Sequence, residues 1–301
     1  MLSKKAARAL GCAVVATLLA TGSVVLCQAA PAAAPVRVLT WNVHGIFFTG
    51  AGKRLTRIAA AVAEQRPDFV AFQEVWTTGQ ASILRHALEP IGYASYRYTR
   101  GFLRRGGLLL LWDTTKGWSV TDASFVRYER AAPWWRLNEM DGLGRKGFLV
   151  ASARHPDGRA ARIVVTHLQS QYPNHHRTYD DIRLAQIQQL AAAVDGGTEA
   201  LIVAGDFNTM PYEKSGGYTW LRARGWRDAT AEFRRRCEAM GSLPCGTSFD
   251  ADGRTADWID YIFIRGDSVS AGETELIRNI RGDDPYSDHG ALLSSLTVAA
   301  Q

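Results

Sequence analysis

Cysteine is scarce in this chain: four in 301 residues, and two of them, Cys12 and Cys27, fall in an Ala-rich start. No Cys-x-x-Cys pair occurs, which argues against a structural zinc site. There is no Gly-x-Ser-x-Gly elbow for an acyl-transfer serine and no phosphate-cradling P-loop. Internal repeats and low-complexity tracts are missing beyond that start. Charged residues make up 21 % of the chain against 47 % hydrophobic. Those proportions exclude a disordered tail, a collagen-like repeat and a coiled coil, and they suit a packed globular protein. Nine Trp, ten Tyr and eleven Phe supply large apolar side chains for a core of roughly 250 residues.

Residues 1–34 read apart from that core. Lys4, Lys5 and Arg8 form a short basic region, residues 13–26 are an apolar run without a charge, and residues 29–34 are rich in alanine. The run is short for a membrane span, and small residues follow it, so the pattern is that of a secretory signal cleaved near Ala34. An uncleaved N-terminal anchor is the alternative. The first 34 residues hold three of the 35 basic residues and none of the 29 acidic ones, leaving 32 against 29, a net charge of +3. That charge gives little support to nucleic-acid binding. Two local clusters, Arg100-Arg104-Arg105 and Arg234-Arg235-Arg236, are read as solvated faces, with an anionic surface as the other reading. In an exported chain, Cys237 and Cys245 are close enough in sequence to form a local disulfide that staples a loop.

Strand-like and helix-like segments alternate over residues 35–301 without a linker, which predicts one domain. Strands are expected at 36–40, 69–72, 108–112, 201–204, 258–264 and 291–298, and a hairpin at 148–153 and 162–166 around Pro156-Asp157-Gly158. Leu55, Ile58, Ala59 and Val62 recur at helical spacing and predict a helix over 53–65; a second is expected over 181–194. Mixed strands interleaved with helices predict α/β sheets packed face to face with helices outside.

Several of these strands run into an uncommon polar residue: Asn42, Glu74, His167, and Asp206 with Asn208. Asp288-His289 precedes the last strand, and Asp260 lies within the one before it. A single such residue is an ordinary turn former, but rigid sites are built on strand ends. Glu and Asn are hard oxygen donors that suit Mg²⁺, with Mn²⁺ or Ca²⁺ as alternatives. Two histidines suit general-base and phosphate-stabilising work. Together they point to metal-assisted phosphoester cleavage.

Thr40-Trp41-Asn42, Gln73-Glu74, Thr166-His167-Leu168, Gly205-Asp206-Phe207-Asn208, Asp260-Tyr261 and Ser287-Asp288-His289 resemble, in order, the signatures of the endonuclease/exonuclease/phosphatase superfamily. The resemblance implies a four-layer α/β sandwich, with two central mixed β-sheets and helices on the outer faces. Gly144-Arg145-Lys146-Gly147-Phe148, and Arg183 with Gln186 opening a helix, resemble the neutral sphingomyelinase branch of phospholipase C type. A plain hairpin turn is the other reading of Lys146-Gly147. The bacterial members carry an aromatic hairpin that dips into the bilayer; here residues 266–287 are short and polar, and Trp134-Trp135 are the candidate substitutes.

From that resemblance, Glu74 with Asn42 is expected to hold the metal, with Asp288 as a further ligand. His289 is expected to be the general base oriented by Asp260. Asp206 and Asn208 would position the nucleophile and a phosphate oxygen, and His167 would donate to the phosphoryl oxygens or assist the leaving group. The expected function is a secreted phosphodiesterase acting on a phospholipid head group at a membrane surface, sphingomyelin the first choice, with no obligate protein partner. One alternative keeps the site and takes DNA or RNA. Another, an inactive binding module on the same scaffold, should have lost a residue from this set, and none is missing.

Overall fold

The computed structural model describes residues 34–45, 51–99, 106–133, 144–171, 179–197, 199–213, 216–241, 245–250, 256–278 and 286–301. Residues 1–33 of the expected signal over 1–34, Arg100-Arg104-Arg105 and Trp134-Trp135 lie outside the described residues. In chain order the first half forms β1 (Val36–Asn42), α1 (Gly52–Gln65), β2 (Phe69–Gln73), α2 (Thr78–Leu88), β3 (Tyr93–Tyr96), β4 (Leu109–Asp113), β5 (Ser119–Arg127), β6 (Gly147–Arg154) and β7 (Ala160–His167). Next come α3 (Asp180–Val194), β8 (Ala200–Asp206), α4 (Gly217–Arg222), β9 (Arg227–Asp228) and α5 (Ala231–Met240). Last are β10 (Ser248–Phe249), β11 (Ala256–Asp257), β12 (Asp260–Arg265), β13 (Val269–Ile277) and β14 (Ala291–Val298).

Two six-stranded mixed sheets result, ordered β13-β14-β1-β2-β4-β3 and β5-β6-β7-β8-β12-β9. Each has one parallel pair near its middle, β1 with β2 and β7 with β8. Side-chain alternation assigns the layers. Val36, Val38, Phe69, Ala71, Leu108 and Leu110 pack toward the second sheet, in a core shared with Ile163, Val165, Ile202 and Ala204. The intervening Leu39, Trp41, Val70, Phe72, Leu109 and Leu111 pack instead with Leu55, Ile58 and Val62 of α1 and Leu84 and Leu88 of α2. Ile187, Leu190 and Val194 of α3 join the shared core from the second sheet's side. Helices flanking two face-to-face sheets are the expected sandwich.

Local chemistry explains the elements the sequence reading passed over. The N-terminus of α2 carries a capping box, with the Thr77 hydroxyl accepting from Gln80 N–H and the Gln80 side chain accepting from Thr77 N–H. That satisfies two otherwise orphaned helix-end donors. β5 and β13 are edge strands with largely solvent-facing residues, so neither shows an apolar run. Cys237 in α5 and Cys245 are joined in a disulfide. The Arg234-Arg235-Arg236 run is not a uniform basic face. Arg234 is buried and bonds Asp228 at 3.0 Å, stacking on Tyr218 and Trp258, while Arg235 pairs with Glu232. An inward-facing guanidinium next to a buried carboxylate is held there by charge and shape together.

Candidate active site

The parallel pairs place two strand ends side by side in each sheet, and the antiparallel neighbours begin where those strands stop. In the second sheet, register sets His167 of β7 and Asp260 of β12 on either side of Asp206 of β8. In the first sheet, Asn42 ends β1 beside Gln73, Glu74 follows β2, and His289 lies just before β14, which runs antiparallel to β1. Asn42, Glu74, His167, Asp206, Asn208, Asp260 and His289 thereby reach one edge of the sandwich, although they span most of the chain. Glycine permits the close approach at two points. A Cβ on Gly205 would stand 2.0 Å from the Thr166 carbonyl oxygen, and one on Gly45 would stand 1.8 Å from that of Glu74.

Asp260 Oδ2 and His289 Nδ1 are 2.7 Å apart, both buried. The His289 backbone is fixed by Trp41 Nε1, which donates to its carbonyl at 2.9 Å, and by its own N–H on Ser287 Oγ at 3.1 Å. Ser287 Oγ in turn donates to the Asn42 carbonyl at 2.7 Å. Burial opposes a charge on His289, but the Asp260 carboxylate, with Asp288 and Asp206 behind it, holds the imidazole pKa well above the ordinary 6.5. The bond at Nδ1 leaves Nε2 as the second ring nitrogen, 4.0 Å from Asp206 Oδ2. A carboxylate that fixes one face of an imidazole and leaves the other for proton transfer is a general-base arrangement.

Asp206 is enclosed between the two histidines, with Oδ2 3.4 Å from His167 Nε2. The same oxygen accepts from Asn42 Nδ2 at 3.0 Å, and Oδ1 accepts from Asn208 N–H at 2.9 Å. Burial, and the Asp260 carboxylate next, push its pKa up to about 7. Asn42 Nδ2 also reaches Glu74 Oε1 at 3.1 Å, so one amide joins a carboxylate from each sheet. Glu74 Oε2 is buried with no hydrogen-bond partner among the described residues. Glu74 has a left-handed backbone, φ +61°, pinned by Val43 N–H on the Gln73 carbonyl and Val75 N–H on that of Gly107. Such a conformation costs a non-glycine residue about 1 kcal/mol. A strained residue with an unsatisfied, buried carboxylate oxygen fits a hard divalent cation; the Asn42 amide turns its nitrogen to Glu74, its Oδ1 accepting from His44 N–H at 3.0 Å. Asp206, Asp260 and His289 also place ligand-type atoms within 4.8 Å of one another. There Asp260 occupies His289 Nδ1 and leaves Nε2 open, so that cluster and Glu74 are both candidate cation loci.

His167 is fully buried, and Lys146 Nζ lies 2.9 Å from its Nε2. The ammonium donates its other hydrogens to the Leu168 carbonyl at 2.6 Å and Ser170 Oγ at 2.8 Å. With Nε2 accepting from an ammonium, the neutral ring carries its proton on Nδ1, and that atom has no partner among the described residues. Burial first, then the Lys146 and His289 charges, hold the His167 pKa well below 6.5. A plain turn at Lys146-Gly147 would leave the lysine in solvent; the structure buries it against a candidate catalytic histidine. Asp288 is set apart from the others. Its Oδ2 pairs with His44 Nδ1 at 2.6 Å, at a half-exposed position, and Ser287 Oγ lies 3.2 Å from its Oδ1. Burial works against its charge, but the His44 bond keeps the Asp288 pKa low, and the same bond raises that of His44. Lys146 as a contact of His167, and His44, were not singled out from sequence. The Thr40-Trp41-Asn42-Val43-His44 run contained the latter in plain view.

The opposed shifts give a direct test on metal-free protein. In a ¹⁵N NMR titration of ring nitrogens, His289 should stay protonated well above pH 6.5, while His167 stays neutral below it. Asp260→Asn should lower the His289 midpoint. Two histidines that both titrate near 6.5 would contradict this electrostatic arrangement.

Residues 39–289 match the Endonuclease/Exonuclease/phosphatase family. The chain is 26 % identical over 304 residues to the inositol phosphosphingolipids phospholipase C of Schizosaccharomyces pombe, covering 88 % of this chain and 69 % of that protein. Among solved structures, D. rerio TDP2 complexed with single strand DNA product superposes with a TM-score of 0.66 at 15 % identity, over 88 % of this chain and 99 % of that one. The human Nocturnin catalytic domain with bound sulfate does so at 0.64 and 19 %, over 88 % and 94 %.

Proposed function

Because the chain belongs to the endonuclease/exonuclease/phosphatase family, and is thereby a phosphodiester hydrolase, we propose that it is a secreted, Mg²⁺-dependent phospholipase C that removes the phosphorylated head group from a sphingophospholipid. Sphingomyelin, cleaved to ceramide and phosphocholine, is the first candidate. The observation that carries the chemistry is the convergence of the Asp260–His289 pair, Asp206 and His167 on one buried edge. A sequence relative that is a phosphosphingolipid phospholipase C supports the substrate class. The small net charge of the chain beyond residue 34 favours lipid over nucleic acid, since a nuclease groove neutralises several phosphates.

In this reading His289 Nε2 takes the proton of the attacking water while Asp260 holds the ring and stabilises the imidazolium. Asp206 and Asn208 orient the water and a phosphoryl oxygen. His167, kept neutral by burial and Lys146, offers Nδ1–H to the phosphate. Glu74 and Asn42, with Asp288 as an outer candidate, would hold the cation, which supplies positive charge against the charge that develops on the phosphoryl oxygens. Residues 1–34 serve as the export signal, and the chain from residue 35 is the mature enzyme.

A turnover panel tests the reading: sphingomyelin, inositol phosphoceramide, phosphatidylcholine, phosphoinositides and plasmid DNA, each with Mg²⁺ and with EDTA. Sphingolipid turnover that EDTA abolishes and Mg²⁺ restores is expected. Cleavage of DNA with no lipid turnover would transfer the site to nucleic acid, and full activity in EDTA would remove the metal.

A further inference from the structure

Asp260 and His289 meet across the gap between two sheets. Asp260 opens β12 in one sheet, and His289 precedes β14 in the other; no ladder among the described residues joins those two strands. A 2.7 Å bond between side chains from separate sheets needs something to hold their backbones in register. The segment after Cys245 does this. Thr247 is fully buried. Its Oγ1 accepts the N–H groups of Ile259 at 3.1 Å and Asp260 at 3.0 Å, while its carbonyl accepts the N–H of Gly290 at 2.7 Å. Its own N–H donates to the Asp257 carbonyl at 2.8 Å. The next two residues continue the tie, since Ser248 bridges to His289 and Phe249 N–H donates to the Asp288 carbonyl at 2.8 Å. Three consecutive residues thus grip the chain beside both members of the pair.

The splint has one covalent anchor. Cys245, two residues before Thr247, is disulfide-bonded to Cys237 in α5. That helix is itself fastened near the splint's far end, where Arg234 stacks on Trp258, two residues before Asp260. We infer that Thr247 is the positioning residue of the Asp260–His289 pair and that the Cys237–Cys245 disulfide anchors it, so that the bond serves turnover as well as loop closure. This rests on His289 acting as the base. A threonine hydroxyl is needed because the two N–H groups it accepts are buried and point at one atom, a role that a methyl group cannot fill.

The test uses the mature chain with Mg²⁺ and bis(p-nitrophenyl) phosphate, a phosphodiester with no lipid part. Thr247→Val keeps the shape and removes the acceptor; Thr247→Ser keeps the acceptor and removes the methyl. The expected result for the valine variant is a kcat about 10- to 100-fold lower, the range that small misplacement of a reacting group produces, with KM within about twofold, and a serine variant within about threefold of the parent. Cys237→Ser/Cys245→Ser leaves the groups that touch the pair unchanged and should lower kcat severalfold without moving KM; it tests the anchor whether or not the valine variant folds. A valine variant with parental kcat, or valine and serine variants that lose activity only in proportion to their folded fraction, would overturn the positioning role. A double-serine variant with parental kcat would overturn the anchor. If His289→Gln is itself active, the general-base reading fails instead, which separates the two failures.

Discussion

Replacing His289 by glutamine is expected to lower kcat by about 10²- to 10⁴-fold, the usual worth of a general base, while the fold survives. Glutamine is the informative choice because its amide can still donate to Asp260 Oδ2, where the imidazole sits at 2.7 Å. Alanine would leave a buried carboxylate without its partner, and Asp260 Oδ1 already lacks one among the described residues. Such an uncompensated charge destabilises strongly, so loss of activity in the alanine variant would mix chemistry with unfolding. Asp260→Asn completes the pair of measurements. It keeps the shape but withdraws the charge that raises the His289 pKa, so kcat should fall with little change in Tm. A His289→Gln enzyme within about tenfold of the parent would be too active for the base assigned here.

The sheet scaffold was legible because its strands carry apolar runs and because each functional residue stands at one end of such a run, after it or, for Asp260 and His289, at or before its start. β7 and β8 show this most plainly: Arg162-Ile163-Val164-Val165-Thr166 stops at His167, and Leu201-Ile202-Val203-Ala204 at Asp206. Which ends meet was legible only through the family resemblance, since spacing says nothing about partners in another sheet. The disulfide followed from proximity in sequence. Lys146 and Thr247 were different. Lys146 stood in a segment resembling the sphingomyelinase branch, but its meeting with His167, like a hydroxyl accepting from Asp260 N–H thirteen residues on, obeys no period and shows in no local spacing. The Thr77–Gln80 capping box did leave one, but the apolar stripe of α2, Ala81, Leu84 and Leu88, is thin beside that of α1. Edge strands β5 and β13 hide for the opposite reason, because half-solvated backbones need no apolar run.

Asp206→Asn should make the metal-free protein more stable while removing almost all activity. The folded-state pKa of Asp206 is raised from 3.8 to about 7 by burial and by Asp260. A carboxyl raised in this way contributes stability that is fully present below its unfolded pKa of 3.8 and is lost as pH rises through about 7. At neutral pH and above, the native state therefore carries an ionised, buried carboxylate next to a second one. Asparagine removes that charge. It also loses the bond that Oδ2 accepts from Asn42 at 3.0 Å, because an amide nitrogen there would face another donor, which takes back about 1 kcal/mol. The net gain is expected to be about 1–2 kcal/mol, a rise of roughly 3–6 °C in Tm. The gain should vanish in acid, where the parent Asp206 is protonated. Added Mg²⁺ should raise the Tm of the parent more than that of the variant, since a cation binds best where the negative charge is retained. Thermal melts of both proteins across this pH range, with and without the ion, decide it. A variant less stable than the parent above neutral pH would mean that Asp206 is ionised at no cost in the folded protein, and that its environment is more polar than the enclosure by Asn42, His167 and His289 implies.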